Sequence, residues 1–365
     1  MPDVTLAIFD PNITENSPAG SCLLKMLRAA SATYLLEIFT ARTDLQPSDR
    51  IIIHKMPVPF KPVFLQSILF TCFSLLFHCL KPSSGIKIGT QGGFPLCDIS
   101  YAHCCHKLFL TRYRKDIGGG FLTRVARLTN YYWSAAMESI AFRRARLIVV
   151  PSEGLANELI SAYGSALAQK IQIISNPVDC NRFAPPGPSP PHPFTFAFCA
   201  LGNFEWKGLP LILEALPSGM PAQLKVIGGT SADLDRYRDS PSNVTFVGMQ
   251  KDIRPYLWAS DAFIFPSVYE TFPLVCLQAA AAGLPLITTN LYGLEELLQP
   301  GISGWRVERT VASIREAMQD AIANPGKASK MGDNAKSLAL KYNLPAFQQR
   351  WLTTLKAFID TQCMG

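Results

Sequence analysis

Phe265-Pro-Ser-Val-Tyr-Glu-Thr-Phe-Pro-Leu-Val-Cys-Leu-Gln-Ala-Ala-Ala-Ala-Gly-Leu-Pro285 reads as a complete strand–turn–helix unit. The apolar run that begins at Ala262 stops at Pro266, as a buried strand does. Glu270 sits in the turn. A helix is predicted from Pro273, a favoured first-turn residue, to Gly283, with Pro285 just beyond its end. The first amides of such a helix lack intrahelical acceptors and carry positive partial charge. They offer a seat for a diphosphate that needs no metal. Glu270 lies at that end, and Gln278 lies about 10 Å further along at 1.5 Å per residue. The two can therefore touch different parts of one elongated ligand.

The same alternation extends outward in both directions. Strand-like runs are predicted at 4–9, 35–40, 51–56, 86–90, 99–103, 147–151 and 171–175, and again at 194–200, 223–227, 244–247, 262–266 and 285–289. Helical stretches such as 21–32, 121–142 and 153–163 lie between them. Strands alternating with helices predict βα units and parallel sheets. The run 184–193, Ala-Pro-Pro-Gly-Pro-Ser-Pro-Pro-His-Pro, cannot be helix or central strand, because each proline fixes φ and removes a donor. It is read as the linker between an N-terminal domain, 1–183, and a C-terminal domain, 194–343. A last helical stretch, 344–365, carries Phe347, Trp351 and Phe358. The chain's 365 residues suit two domains. The expected fold is α/β, two Rossmann-like domains facing each other across a cleft, with ligands beyond the carboxyl ends of the strands.

Composition narrows the function. Charged residues are only 17% of the chain and hydrophobic ones 48%, which argues against disorder. The net charge of +7 is unevenly placed. Residues 1–150 hold 17 of the 34 Lys and Arg but 9 of the 27 Asp and Glu, a surplus of +8. Much of it clusters between Lys107 and Arg146, a pattern that suits phosphates, anionic lipid or nucleic acid. The ten cysteines form no C-x-x-C pairs. Adjacent Cys104 and Cys105 would point to opposite sides of a strand, so with His103 and His106 they make a poor metal site, and no metal is expected. Cys72, Cys199 and Cys276 read as buried apolar residues of a reducing compartment. An acidic residue and a strand begin at once, so no signal peptide is read and a cytoplasmic protein is expected. The apolar stretch 63–80, between Lys61 and Lys81, is slightly short for a membrane span and carries polar residues; it is read as a buried or membrane-facing helix.

Three further segments can carry chemistry. Leu201-Gly-Asn-Phe-Glu-Trp-Lys-Gly208 is a glycine-bearing turn after a strand, with Lys207 placed to neutralise a leaving diphosphate. Asp98-Ile-Ser-Tyr-Ala-His-Cys-Cys-His106 ends a strand at His103. Asn12-Ile-Thr-Glu-Asn-Ser-Pro-Ala-Gly-Ser21 puts Gly20 before a helix, where a backbone can approach a phosphate.

Taken in order, these segments resemble glycosyltransferase family 4, the retaining GT-B enzymes, over nearly the whole chain. Ala145-Arg-Leu-Ile-Val-Val-Pro-Ser-Glu-Gly154 is similar to its strand-then-serine step. Ser175-Asn-Pro-Val-Asp-Cys-Asn-Arg-Phe183 is similar to its interdomain segment, with Pro177 where glycine is usual. Gly202 to Gly208 resembles its Gly-Arg…Lys-Gly turn, and Glu270 to Gln278 its Glu-x7-Glu motif. Gly293-Leu-Glu-Glu296 and Gly301-Ile-Ser-Gly-Trp-Arg-Val307 match the motifs that follow. A series in the right order is specific where a single piece is not.

The resemblance implies a hexose moved with retention from a nucleotide-diphosphate sugar, UDP- or GDP-linked, to a lipid-linked or polysaccharide-precursor acceptor. No cofactor or metal is implied. Glu270 would contact sugar hydroxyls. Lys207 and the amides of Leu274 and Val275 would hold the diphosphate, and Gln278 would hold the ribose. Gly202, Asn203 and Phe272 would complete the donor site. His103 would touch the transferred sugar, and Gly20 the phosphates or acceptor. The clustered charge and its aromatic neighbours, apart from the resemblance, lead to the expectation that Arg112, Arg114 and Lys115 form an acceptor or peripheral-membrane surface on the cytoplasmic face, with no role for nucleic acid. The last helix would cross back to the first domain.

Two residues depart from the family pattern: Asn203 stands where arginine is usual, and Gln278 where the second glutamate is. The first removes a permanent charge. The second replaces a carboxylate by an amide with one acceptor and one donor group. They leave open a donor-binding chain that turns over weakly or not at all. A nucleotide-sugar epimerase is a third reading.

Overall fold

The computed structural model describes residues 4–81, 85–187 and 191–363. The chain forms two compact units, residues 1–175 with 347–365, and residues 176–346.

The first unit runs through β1 (Thr5–Phe9), β2 (Asn12–Ile13), α1 (Pro18–Ala30), β3 (Leu35–Thr40), β4 (Arg42–Thr43), β5 (Ile51–Lys55), α2 (Val63–Leu80), β6 (Ile86–Thr90), β7 (Ile99–Tyr101), α3 (His106–Tyr113), α4 (Phe121–Arg144), β8 (Leu147–Val150), α5 (Glu153–Tyr163) and β9 (Ile171–Ile173). Seven strands form one sheet in the order β5-β3-β1-β6-β7-β8-β9, and β2 pairs with β4 apart from it. All pairings are parallel; Ile8 lies in register between Ile38 and Ile88. Central parallel strands are covered on both faces and so read as unbroken apolar runs, as Leu-Ala-Ile-Phe in β1 does. Serines start two of the covering helices. Ser17 Oγ accepts from Gly20 N at 3.2 Å ahead of α1, and Ser152 Oγ from Leu155 N at 3.2 Å ahead of α5. On one face, Phe9 stacks on Phe39 and Phe94 with ring centroids 4.4 and 3.8 Å apart, and Phe70, Phe142 and Leu155 join the same core.

The second unit holds α6 (Cys180–Phe183), β10 (Thr195–Ala200), α7 (Phe204–Lys207), α8 (Leu209–Ala215), β11 (Gln223–Gly228), α9 (Ser231–Arg236), β12 (Val244–Gly248), α10 (Arg254–Trp258), β13 (Ala262–Phe265), α11 (Leu274–Ala281), β14 (Leu286–Thr288), β15 (Gly304–Arg306), α12 (Val311–Ala323) and α13 (Pro325–Ala339). Its sheet is parallel throughout, in the order β12-β11-β10-β13-β14-β15. Every residue of β10 and β13 is buried. The short β15 was not expected as a strand; its sequence, Gly-Trp-Arg, is not an apolar run.

The boundary after residue 183 needs correction. Val178 N donates to Tyr342 O at 2.9 Å, and Trp258 Nε1 donates to Phe183 O at 2.8 Å. These bonds tie 176–183 to the second unit, so the chain changes units at 175/176. The Pro-rich run therefore falls inside the second unit and does not link the two; its residues 188–190 lie outside the described residues, as do 1–3 and 364–365 of the domain ends.

The last helix, α14 (Leu344–Cys363), belongs to the first unit from Phe347 onward. Trp351 is fully buried, edge-on to Tyr101 at 4.9 Å. Gln348 Nε2 donates to Lys25 O at 3.1 Å, and Gln172 Nε2 to Thr354 Oγ1 at 2.7 Å. A fully buried indole leaves a large cavity when truncated. Trp351→Ala is therefore expected to cost about 3–5 kcal/mol, read as a lower urea midpoint. An unchanged midpoint would show that the helix is not integral to the first unit.

Candidate functional site

In the second unit, α11 begins at Leu274 after Pro273, which supplies no side-chain cap. Its first-turn amides, Leu274 and Val275 among them, lack intrahelical acceptors and carry the positive end of the helix dipole. The helix buries Cys276, Leu277, Ala279, Ala280 and Ala281. Leu274, Val275 and Gln278, spaced as neighbours on one helical face, stay half-exposed.

The lysine turn lies against the end of β13. Gly208 has φ +88°, and a Cβ there would come within 2.5 Å of Pro266 O. Only glycine accepts both the backbone angle and the approach. Val268 N donates to Trp206 O at 3.0 Å across the same seam. The result joins two of the nominated residues directly: Lys207 Nζ and Glu270 Oε1 form an ion pair, both side chains about one-fifth exposed. Ser267 Oγ donates to the same Oε1 at 3.1 Å, and Thr289 Oγ1 donates to Ser267 O at 2.7 Å.

Sequence reading passed over Ser267 and Arg309. The Arg309 guanidinium donates to Glu205 O at 2.8 Å and to Pro266 O at 3.3 Å, bracing the lysine turn from beneath. Partial burial lowers its pKa. It lies outside every motif, so no spacing could have found it. Phe272, nominated for the donor site, is buried instead, edge-on to Tyr342 at 5.9 Å and packed on Gly293. Its apolar ring is a prop for the turn. The chain has an Asp-x-Asp triplet, Asp233-Leu234-Asp235. Asp233 Oδ2 accepts from Thr230 N and Oγ1 at 2.8 and 2.7 Å, and Asp235 pairs with Arg238 at 2.8 Å, so both carboxylates are engaged.

The first unit holds the other nominated residues. His103 follows β7, buried, its ring 4.1 Å from Tyr101. Burial lowers its pKa to about 3, so the imidazole is neutral at physiological pH. Asp10, just past β1, is also buried, and burial raises its pKa. It accepts from Asn12 N at 2.7 Å and from Thr90 Oγ1. β6 lies between β1 and β7, so Asp10, Thr90 and His103 share the carboxyl edge of the sheet. Gly20 lies inside α1, not before it. A Cβ there would come within 2.0 Å of Asn12 O, so its close approach is to the protein's own backbone. Arg112 pairs with the buried Glu158 at 2.5 Å. Arg114 lies 5.9 Å from the centre of the Tyr132 ring, and Lys115 is exposed.

Residues 36–182 match the family described as Glycosyltransferase Family 4, and residues 195–324 match Glycosyl transferases group 1. The chain belongs to the group 1, family 4 glycosyltransferases. A glycogen synthase of Mycobacterium tuberculosis is similar at 29% identity over 214 residues, 55% of this chain and 51% of that protein. The chain thus spans about half the length of that relative. Its fold is similar to that of sucrose-phosphate synthase from Thermosynechococcus elongatus, with TM-score 0.79 and 17% identity over 98% of this chain and 100% of that one. It is also similar to Anabaena Alr3699/HepE solved with UDP-glucose, with TM-score 0.70 and 16% identity over 97% and 99% of the two chains. The fold is GT-B, built of two Rossmann-like units.

The departure at Asn203 has a backbone rationale. Its φ is +57°, a left-handed conformation that asparagine tolerates better than most side chains. Gln278 shares the half-exposed face of α11 with Leu274 and Val275.

His103 makes acid stability testable. The unfolded chain takes up a proton below about pH 6.5, while the folded imidazole resists until about pH 3. Folding is therefore unaffected by this group above pH 7 and is destabilised as pH falls through 6.5. The stability difference between wild type and His103→Gln should shrink by about 2 kcal/mol from pH 7 to pH 5, measured by urea unfolding. A constant difference would mean that the imidazole titrates normally.

Proposed function

We propose that this chain transfers a hexose from a UDP- or GDP-linked donor to a lipid-linked or polysaccharide-precursor acceptor, with retention and without a metal. The observation that carries the reading is the Lys207–Glu270 pair immediately before the uncapped start of α11. An arriving diphosphate competes with Glu270 for the ammonium of Lys207 and receives the first-turn amides as well. Once Lys207 turns to the phosphates, Glu270 is free to accept from sugar hydroxyls. As the glycosidic bond breaks, negative charge grows on the departing diphosphate, where Lys207 and the amides stabilise it. The acceptor attacks the face the diphosphate leaves, so no protein nucleophile is assigned. The HepE neighbour solved with UDP-glucose and the glycogen synthase relative support a nucleotide-sugar donor. With Asp233 and Asp235 both engaged, α11 and Lys207 take the part a divalent ion plays elsewhere.

Lys207→Ala is expected to lower the rate a hundredfold or more, about 3 kcal/mol of transition-state stabilisation. Glu270→Gln should keep the fold and lose most transfer. Both are read as turnover of a panel of UDP- and GDP-sugars, with thermal unfolding as the fold control. A loss under about threefold for Lys207→Ala would remove the turn from the phosphates. Donor binding without turnover in the wild type would favour the weakly active reading.

Chelation is a separate test. Turnover should be unchanged in EDTA. Complete loss, restored by manganese, would overturn the metal-free reading.

A further inference from the structure

Helix α2 has its polarity reversed. Its buried positions are Gln66, Phe70, Thr71 and Ser74, three of them polar. Its exposed positions are Val63, Leu65, Cys72, Leu76, Cys79 and Leu80, none of them charged and all apolar. A surface helix in water shows the opposite arrangement. The helix has a mean hydropathy of 1.9 over its 18 residues, yet only 22% of that span is buried. An apolar surface of this extent marks an interaction site.

Helix α4 packs against both α2 and α3, and it too exposes apolar residues, among them Phe121, Leu122 and Val125. Helices α2 and α4 lead into the parallel strands β6 and β8, so both run against the strands and start at the sheet's carboxyl edge. There α4 opens with Phe121 and Leu122, each 81% exposed. Just before them in the chain, Arg114 and Lys115 line a cavity of about 630 Å³ between α3 and α4, together with Lys107, Arg112 and Tyr132. Lys107 and Arg112 are held by Ala162 O and Glu158. Arg114 and Lys115 have no carboxylate partner among the described residues. Between residues 105 and 127 there are six Lys or Arg and one acidic residue, Asp116.

We propose that the outer face of α2, the opening turn of α4 and this basic cavity dock the protein on a bilayer leaflet that carries anionic phospholipid. Phe121 and Leu122 enter the acyl boundary, while Arg114 and Lys115 meet headgroup phosphates. Apolar and basic residues side by side fit such a surface. A second copy of the chain would set one basic cavity against another. A nucleic acid would match the charge but leave the apolar face of α2 in water. The surface names where a lipid-linked acceptor of the proposed function would be met, but vesicle binding requires neither donor nor acceptor, so the two readings fail separately.

The test is flotation of the full chain with phosphatidylcholine vesicles, with and without phosphatidylglycerol, at low and high salt. Binding is expected only where phosphatidylglycerol is present and should weaken with salt. Arg114→Ser with Lys115→Ser should lower partitioning about fivefold for each charge. Phe121→Ser with Leu122→Ser should lower it tenfold or more at either salt, with an unchanged unfolding midpoint because both side chains lie in solvent. A protein that stays with the unbound fraction on anionic vesicles at low salt overturns the proposal. So does binding that ignores the Phe121 and Leu122 pair, which would indicate a general polyanion surface. A wild-type dimer made monomeric by that pair would assign the face to self-association and overturn it as well.

Discussion

A parallel strand cannot be joined to its neighbour by a tight turn; each needs a covering crossover that returns the chain to the same edge. Both sheets here obey that constraint, and the site follows from it. In the second unit β10 and β13 are adjacent, so the turns leaving them emerge side by side. That is why Lys207 meets Glu270 although 63 residues separate them. Gly208 closes the last gap by letting one turn lie on Pro266 O of the other. The helix that must then cover β13 begins at this point, and its dipole adds to the lysine's charge.

The charge pair is self-contained until a ligand arrives. A half-buried ammonium or carboxylate left alone would carry a desolvation cost, and each partner offsets that cost for the other. Ser267, held in turn by Thr289, fixes the carboxylate. An anion that recruits the lysine therefore changes what the glutamate can bind. In the first unit electrostatics work in the opposite sense: burial strips charge from His103 and favours the protonated form of Asp10.

The reversed helix α2 follows a different physical logic from the rest of the surface. Three of its four buried residues are polar, while Val63, Leu65, Cys72, Leu76, Cys79 and Leu80 face outward. The +8 surplus of residues 1–150 belongs to the same unit. Neither feature contributes to the Lys207–Glu270 pair, which lies in the other unit.

The parallel α/β class, the strands of both sheets apart from β15, and the strand–turn–helix around Glu270 were legible in the sequence. Each depends on local signals: apolar runs, prolines that stop a strand or start a helix, and a glycine that ends one. Other features depend on which strand lies beside which. The Lys207–Glu270 pair, the brace from Arg309, the inward turn of Phe272 and the Glu158 partner of Arg112 all join residues distant in the chain. The boundary at 175/176 was hidden because prolines mark where regular structure stops, not where packing changes sides. The apolar run 63–80 was visible in the sequence, but a near-uniform run has no period to say which face is buried. Only packing against the sheet decided that Gln66, Thr71 and Ser74 point inward.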